Sequence, residues 1–465
     1  MNAQTPASQT PITTGLSHYI VESQHAEISE EILELGKRHL LDTLASIIAC
    51  RDLEPSELAR NFALKFSGDA RANSATILGT KSKASLPDAV FASAMTAHGA
   101  EINDFIPSAF VQPGPSIVSA CIGLAENRGL SGQSLLRAMI AGYELAGRIP
   151  KAIGTDNLRK ANIANHGIGP VFGTATAAAS ILKMPHDTIE HVLTYCAQQA
   201  SGCWQWMLDV EHIEKSFVFA GIGARNGLHA TLMVEAGFRG VRGALDHPAG
   251  WLKSAIFQGN DANPDYLLNN LGSAFEMHHT AYKRYPVGGP TQPAVEGILK
   301  LKSAIDLEQL DQIVISMPGR WEAFRNAAMP ALNLRYLTSI ILLDQRLDFV
   351  SAQSLDRMHN DEDVKLMMTK IDVIHDPEQE TPPGEPRRES ARLYVKMKDG
   401  SQKELFVPFV RGFPSHPMTR EEVVDKAKEL ISPHLGADRA QTIVDTVFNI
   451  EAMDNAGELA QLIAR

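Results

Sequence analysis

The stretch GTATAAAS at residues 173–180 sets small side chains along a segment whose spacing reads as helix. Ala141, Gly142, Ala146 and Gly147 do the same upstream. Small residues on facing helices let the axes approach closely, so these segments predict a large, tightly packed helical body. Working outward, Leu33, Leu40, Leu41, Leu44, Ile47 and Ile48 recur on one face of the 30–50 segment, the period of an amphipathic helix. Helical spacing continues from about Thr14 to Phe257. Ser131 reads as a helix start, as does Asp187 with Glu190 three residues later in a capping box, and Gly129, Gly202 and Gly237 read as stops. The first 14 residues are polar, carry no Lys or Arg, precede no apolar stretch and read as a flexible tail rather than a secretory signal.

The texture changes near residue 280. Ile313–Met317 is a β-branched run, and the alternating segments Arg392–Lys398 and Gln402–Val407 flank Asp399-Gly400, a strong hairpin signal. A polar, Pro-rich loop over 376–390 precedes them. Helical pattern resumes after Pro417, with Thr419 and Glu422 as a capping box. This predicts a mainly α chain with a smaller α+β domain over 280–410, and C-terminal helices that either rejoin the first domain or stand alone.

Composition narrows the function. The 465 residues carry 43 Lys and Arg against 54 Asp and Glu, a net charge of −11, which gives no long-range attraction for nucleic acid or anionic lipid. The longest apolar runs, such as 117–125, are half the length of a membrane span. Cys50, Cys121, Cys196 and Cys203 form no CxxC pair, so neither a zinc knuckle nor a disulfide framework is written, and a reducing cytoplasmic setting fits. Signatures of hydrolases, P-loop enzymes and zincins are absent. Two glycine patterns, Gly167-Ile-Gly169 to Gly173 and Gly221-Ile-Gly223 to Gly227, lack the preceding strand that a dinucleotide fingerprint requires. They read as glycines for close helix packing, which leaves a nicotinamide oxidoreductase the weaker alternative.

Three polar stretches stand in apolar surroundings. The first contains His98, Glu101, Asn103 and Asp104, followed by Gln112-Pro-Gly-Pro; if helical, it would project His98, Glu101 and Asp104 from neighbouring turns. The second holds His166 after Asn165, with the ionisable run from His212 through Glu214 and Lys215 beside it. The third is Tyr282-Lys283-Arg284-Tyr285-Pro286-Val287-Gly288-Gly289-Pro290. Each also has a bland reading: helix capping for the first, a structural histidine for the second, a basic interdomain loop for the third. Taken together, cations that hold carboxylates beside carboxylate and imidazole bases are what proton abstraction next to a carboxylate requires, and no metal is obligatory for it.

These blocks, with HLLDTLASIIAC at 39–50, GARNGLHATLMVEAGFRG, YKRYPVGGPTQPAVEGI and GFPSHPMTREEVVDKAKEL, occur in an order that resembles the MmgE/PrpD family over nearly the whole chain. The resemblance implies cofactor-free enzymes on small polycarboxylates: 2-methylcitrate dehydratase, cis-aconitate decarboxylase and iminodisuccinate epimerase. It also implies a helical domain from both chain ends (15–279 and 411–465), a lid over 280–410, and a homodimer. His98, Asp104, His166, Lys283, Tyr285 and Pro286 match family positions. Glu101 stands for an aspartate, Lys215 lies one residue from the family lysine, and Tyr336 falls at a family active-site tyrosine.

The departures are as informative. A family histidine is Gln112, which cannot exchange a proton usefully near neutral pH. Another is Gln292, and Gly288-Gly289 replace a Cys or His. The expected pocket is therefore roomier and poorer in proton donors. Glu101, Asp104, His166 and Lys215 are expected to be catalytic, with Lys215 or His166 as base. His98, Gln112, Lys283, Arg284, Tyr285 and Tyr336 are expected to bind substrate, with no metal and no cofactor. The expected activity is a lyase on a di- or tricarboxylate, the alternatives being an epimerase or a non-catalytic carboxylate-binding scaffold.

Overall fold

The computed structural model describes residues 10–68, 73–382 and 388–465, so most of the polar N-terminal segment and the centre of the Pro-rich loop lie outside it. Its helices begin with α1 (Ile12–Glu22), α2 (Glu30–Cys50), α3 (Glu54–Phe66), α4 (Leu86–Ala97), α5 (Pro113–Arg128), α6 (Gly132–Ile153) and α7 (Thr155–Lys160). They continue with α8 (Gly169–Ile181), α9 (His186–Gln199), α10 (Ile213–Ser216) and α11 (Ile222–Glu235). The helical chain thus starts at Ile12, inside the expected tail. Its N-terminus is capped by Asp246, whose carboxylate accepts from the Ile12 and Thr13 amides at 2.8 and 2.7 Å. A cap supplied from so far along the chain leaves no local signal.

At the centre, every residue of α8 is buried. The small residues do what the sequence asks of them: a Cβ on Gly142 would meet the Gly173 carbonyl oxygen at 2.8 Å, one on Gly173 the Gly142 oxygen at 2.7 Å, and one on Gly227 the Val171 oxygen at 2.5 Å. Backbones of α6, α8 and α11 are therefore in direct contact. Gly167 and Gly169 lie on a 3-10 turn and the first residue of α8, so the dinucleotide pattern is a packing device.

The expected caps hold with one correction. Ser131 and Thr419 cap α6 and the later helix at 420, the latter with a full capping box to Glu422. Asp187 and Glu190 form no box, because α9 begins behind Pro185 without a side-chain cap. The Glu190 carboxylate instead accepts from Thr14 Oγ1 and the Gly243 amide.

Two small sheets complete the chain. β1 (Ser74–Thr76) and β2 (Lys83–Ser85), unforeseen because each has three residues, pair antiparallel. The larger sheet comprises β3 (Leu310–Met317), β4 (Ile371–His375), β5 (Ala391–Met397) and β6 (Gln402–Val407) in the order β4-β3-β5-β6. β3 and β4 are parallel, and the others antiparallel. Gly400, at φ +87°, makes the predicted hairpin turn. Here α12 (Gln292–Leu301) and α14 (Leu334–Asp344) enclose a separate core from Val287 to Val407, with α13 (Trp321–Arg325), α15 (Phe349–Gln353), α16 (Leu355–Asn360) and α17 (Glu362–Met368) around it.

The C-terminal α18 (Arg420–Leu435), α19 (Ala437–Phe448) and α20 (Glu458–Leu462) rejoin the first core, where Val423, Ala427 and Ile431 share one cluster with Leu40, Leu44 and Ile48. Lys426, buried on α18, donates to Asp42 Oδ1 at 2.6 Å and to the Ile102 carbonyl at 2.8 Å. That contact carries the C-terminal helices to the edge of the site. Among the described residues, no helix is long and apolar enough to cross a membrane.

Because Gly173 faces backbone rather than a movable side chain, Gly173→Val should force α6 and α8 apart. Overpacking of this kind costs about 1–3 kcal/mol or more. The expected result is a lowered thermal midpoint in calorimetry; an unchanged one would contradict the backbone contact.

Candidate active site

Three chain segments with no regular structure in common, and a fourth, the turn that carries His166, assemble the site. The first is the turn that follows α4, from His98 to Gln112. It is irregular rather than helical, so it splits its acidic residues between two sides. Glu101 faces one cluster of ionisable groups. Asp104 faces another, accepting from the Tyr143 hydroxyl at 2.7 Å and the Gly114 amide at 3.2 Å, with His39 Nδ1 3.0 Å away. Asp104 therefore anchors the first turn of α5 and does not join Glu101, contrary to the catalytic role expected of it.

The second segment runs from Gly202 to Gly221. The Asp209 carboxylate accepts from the Lys215 amide at 2.8 Å and starts the short helix α10. A π-helical turn over Phe217–Gly221 follows, a distortion that often marks functional positions. The third is the strand-like stretch at 281, where Phe105 and Ala281 exchange backbone hydrogen bonds at 3.0 and 2.7 Å. That pairing sets Lys283 beside Asn103, whose carbonyl accepts from Lys283 Nζ at 2.9 Å.

These elements bring Glu101, Lys215, Lys283, His98, His166 and Gln112 together, all buried. Lys215 Nζ is in contact with Glu101 Oε1, and Lys283 Nζ lies 3.6 Å from Oε2. Burial pushes the Glu101 carboxyl up, but the two ammoniums outweigh it and hold the group well below the usual carboxylate range. Lys283 is shifted down by burial, with Glu101 opposing. Burial, reinforced by Lys215, also holds His166 well below an ordinary imidazole. His98 is shifted the same way by burial and His212. At neutral pH the cluster carries two ammoniums, one carboxylate and uncharged imidazoles, an excess of one positive charge among its buried side chains.

His166 stands on a turn whose Asn165 amide donates to the Ala109 carbonyl at 3.0 Å. Its Nδ1 is 2.9 Å from Gln112 Oε1, and its ring stacks on Phe219 at 3.7 Å. His98 stacks on Phe219 at 4.8 Å. Trp204 and Trp206 close the outer side against His166, and Lys215 Nζ lies 5.4 Å from the Trp206 ring. Beyond them Leu208 is 84% exposed, so this turn is a thin wall between the site and solvent.

Three expected substrate-binding residues lie elsewhere. Arg284 reaches Glu429 on α18 at 3.2 Å, drawn to an exposed carboxylate. Tyr285 packs against the core of the larger sheet, its amide and carbonyl held by Gln292. Tyr336 is inside that core, its hydroxyl donating to the Ser351 carbonyl at 2.6 Å. Nor do the glycines enlarge the site: Leu332 would clash with a Cβ on Gly288 at 2.2 Å, and Phe105 sits at 3.4 Å from one on Gly289. The aromatic wall of Trp204, Trp206 and Phe219 is absent from the sequence-based expectation, although the Trp-Gln-Trp run before an ionisable stretch is a usable signal. His212 was grouped with Lys215 but given no role.

One ring nitrogen each from His98 and His212 and one Glu101 oxygen lie within 4.8 Å of one another, a possible metal triad. A dication there would have to share Glu101 with two ammoniums, so the donor set suits an added anion better than an added cation.

Comparison with known families agrees along both parts of the chain. The MmgE/PrpD N-terminal domain matches residues 14–265 and the C-terminal domain residues 285–451. This chain belongs to the MmgE/PrpD family. It is 24% identical over 489 residues to the cis-aconitate decarboxylase-like protein oryM of Aspergillus oryzae, covering 97% of both chains. It is 22% identical to the cis-aconitate decarboxylase of Aspergillus terreus, covering 97% of this chain and 96% of that one. Over about half of each chain, 49% and 48%, it is 22% identical to the 2-methylcitrate dehydratase-like protein oryR of Aspergillus oryzae. Lys283 lies just before the C-terminal match, in the junction between the two family domains.

Removing the shared carboxylate of this MmgE/PrpD site should strand two buried ammoniums. Breaking a buried ion pair from one side costs about 3–5 kcal/mol, so Glu101→Gln should lower the denaturation midpoint strongly at neutral pH. The sign follows from the depressed folded value: the contribution is full above the unfolded value of about 4.3 and is lost as pH falls through the lower folded one. The gap between wild type and variant should close only in strong acid. Equal stabilities at neutral pH would refute the pairing.

Proposed function

We propose that this chain is a cofactor-independent lyase that acts on a small di- or tricarboxylate by moving a proton at the carbon next to a carboxylate. The observation that carries the reading is a pair of buried ammoniums, Lys215 and Lys283, sharing one buried carboxylate beside an uncharged imidazole. The ammoniums grip substrate carboxylates and stabilise the enolate-like charge that develops. His166 donates Nδ1–H to Gln112 Oε1, which leaves Nε2 with a lone pair as the base. Lys215, charged at rest, returns a proton to carbon. Loss of carbon dioxide and loss of a β-group both pass through such a charge, and the relatives above are named for one or the other. None of them is named for epimerisation, which makes the epimerase alternative the weaker one.

Gln112 in place of a family histidine favours a second reading, a carboxylate-binding protein without turnover. The homodimer that the family resemblance implies, the cytoplasmic setting that the cysteine usage fits, and the division into a helical domain and a lid over 280–410 belong to the same proposal.

The deciding experiment incubates the protein in D2O, with a chelator present, against a panel of di- and tricarboxylates. Turnover or deuterium incorporation is expected for at least one. Lys215→Met, His166→Gln and Lys283→Met should each slow it about a hundredfold or more, the loss typical of a general acid, base or charge stabiliser. Binding in thermal-shift assays with no turnover anywhere would favour the second reading.

The pH profile offers a separate check. With His166 held down by burial, the acid limb of kcat/KM should fall below the ordinary imidazole value of about 6.5. Because burial lowers Lys283, the alkaline limb should begin before the ordinary lysine value of about 10.4. An acid limb at or above 6.5 would remove His166 as the base.

A further inference from the structure

His212 has a backbone φ of +65°, in the left-handed region where residues other than glycine are uncommon and Asn, Asp and His are the enriched ones. Its ring is buried between Ser216 and Glu101, with Nδ1 2.9 Å from Ser216 Oγ and Nε2 3.4 Å from Glu101 Oε1. Ser216 determines the tautomer. Its hydroxyl oxygen lies 2.7 Å from the His98 carbonyl and 2.6 Å from the His212 carbonyl, so its one proton is committed to a carbonyl. The hydroxyl must then accept from His212, and Nδ1 carries the hydrogen. In the neutral ring, Nε2 consequently presents a lone pair to a carboxylate oxygen. One proton is missing between them.

We propose that His212 is a positioning residue that takes up this proton when a carboxylate substrate binds, and so replaces Lys215 as the partner of Glu101. The inference rests on the reading of the site given above. At rest, Lys215 and Lys283 both face Glu101, and these are the two cations a substrate needs. A dicarboxylate entering a site with one excess positive charge would leave one excess negative charge, unfavourable out of water. One proton from solvent, bonding to the Nε2 lone pair, makes His212 an imidazolium that donates to Glu101 Oε1 and restores neutrality. Lys215 is then free to turn to the substrate.

The groups facing His212 are Glu101 and the His98 ring from the turn after α4, and Lys215, Asp209 and Ser216 from its own segment. Burial keeps the free ring neutral, with Glu101 opposing. The other imidazoles are poorer acceptors. His98 donates Nδ1–H to Asn103 Oδ1 at 2.6 Å, and its buried Nε2 has no hydrogen-bond partner, so a proton there would find no acceptor. His166 Nδ1 meets the neutral Gln112 amide.

The test is titration calorimetry of the whole protein with succinate, a saturated dicarboxylate with no leaving group. It is run at about pH 7.5, a unit above an ordinary imidazole, in three buffers of different ionisation enthalpy. The dependence of binding heat on buffer gives the protons exchanged. Wild type should take up about one proton per ligand at this pH. His212→Asn, a residue that tolerates the left-handed backbone, should bind with uptake near zero. Ser216→Ala frees Nδ1, lets the neutral ring place its hydrogen on Nε2, and should lower uptake by more than half; it decides the matter if His212→Asn does not fold. Binding without uptake in wild type, or full uptake in either folded variant, overturns the role of His212 and leaves the carboxylate site standing. No binding by wild type overturns both.

Discussion

Burying Glu101 forces everything around it. A carboxylate out of water must be neutralised or protonated, and here Lys215 and Lys283 hold it ionised from two different parts of the chain. Each cation in turn needs its place secured: Lys283 by the Asn103 carbonyl and the Phe105–Ala281 pairing, Lys215 by the Asp209-capped turn. One charge therefore ties the turn after α4, the α10 segment and the junction to the α+β unit into a single arrangement. Cations gathered around a lone carboxylate are also the arrangement that a second carboxylate, belonging to a substrate, can enter.

A second buried ionic set lies directly behind the first and does a different job. Asp104, Tyr143 and His39 hold the start of α5, while Lys426 bridges Asp42 to the Ile102 carbonyl, one residue from Glu101. Burial raises the Asp42 carboxyl, with Lys426 opposing. These groups touch α2, α5, α6 and α18 but not the site cations. They explain how the C-terminal end of the chain supports a site to which it contributes no facing side chain.

Legibility in the sequence followed the range of the physics. Helical periodicity, the Asp399-Gly400 hairpin and the Thr419 capping box are local, and each was readable from a few residues. Contacts across the chain were not: the Asp246 cap on α1, the diversion of Glu190 to Gly243, and the parallel pairing of β4 with β3 depend on partners far away. The site divides in the same way. Glu101, His166, Lys215 and Lys283 carry chemistry in their residue types, and the fold brings them together. Arg284 and Tyr336 have the same kinds of side chain, but Glu429 and Ser351 compete for them, and neither competitor is adjacent in sequence. The spacing of His98, Glu101 and Asp104 suggests one helical face, whereas the turn sends its acids to opposite sides.

The place of Gln112 shows how an amide in place of a titratable ring can still orient the neighbouring imidazole. A histidine there would titrate, and its charge would add to that of Lys215 and Lys283 in suppressing His166. The amide adds no charge. Its oxygen takes the Nδ1 hydrogen of His166 and keeps the lone pair on the far nitrogen, while Phe219 holds the ring in plane. The net charge of −11 then describes only the outside of the molecule. Inside, the balance is set by two ammoniums, one carboxylate and rings that burial keeps neutral, so the local sign is the reverse of the surface's. Between that local excess of positive charge and solvent stands the Trp204–Trp206 turn.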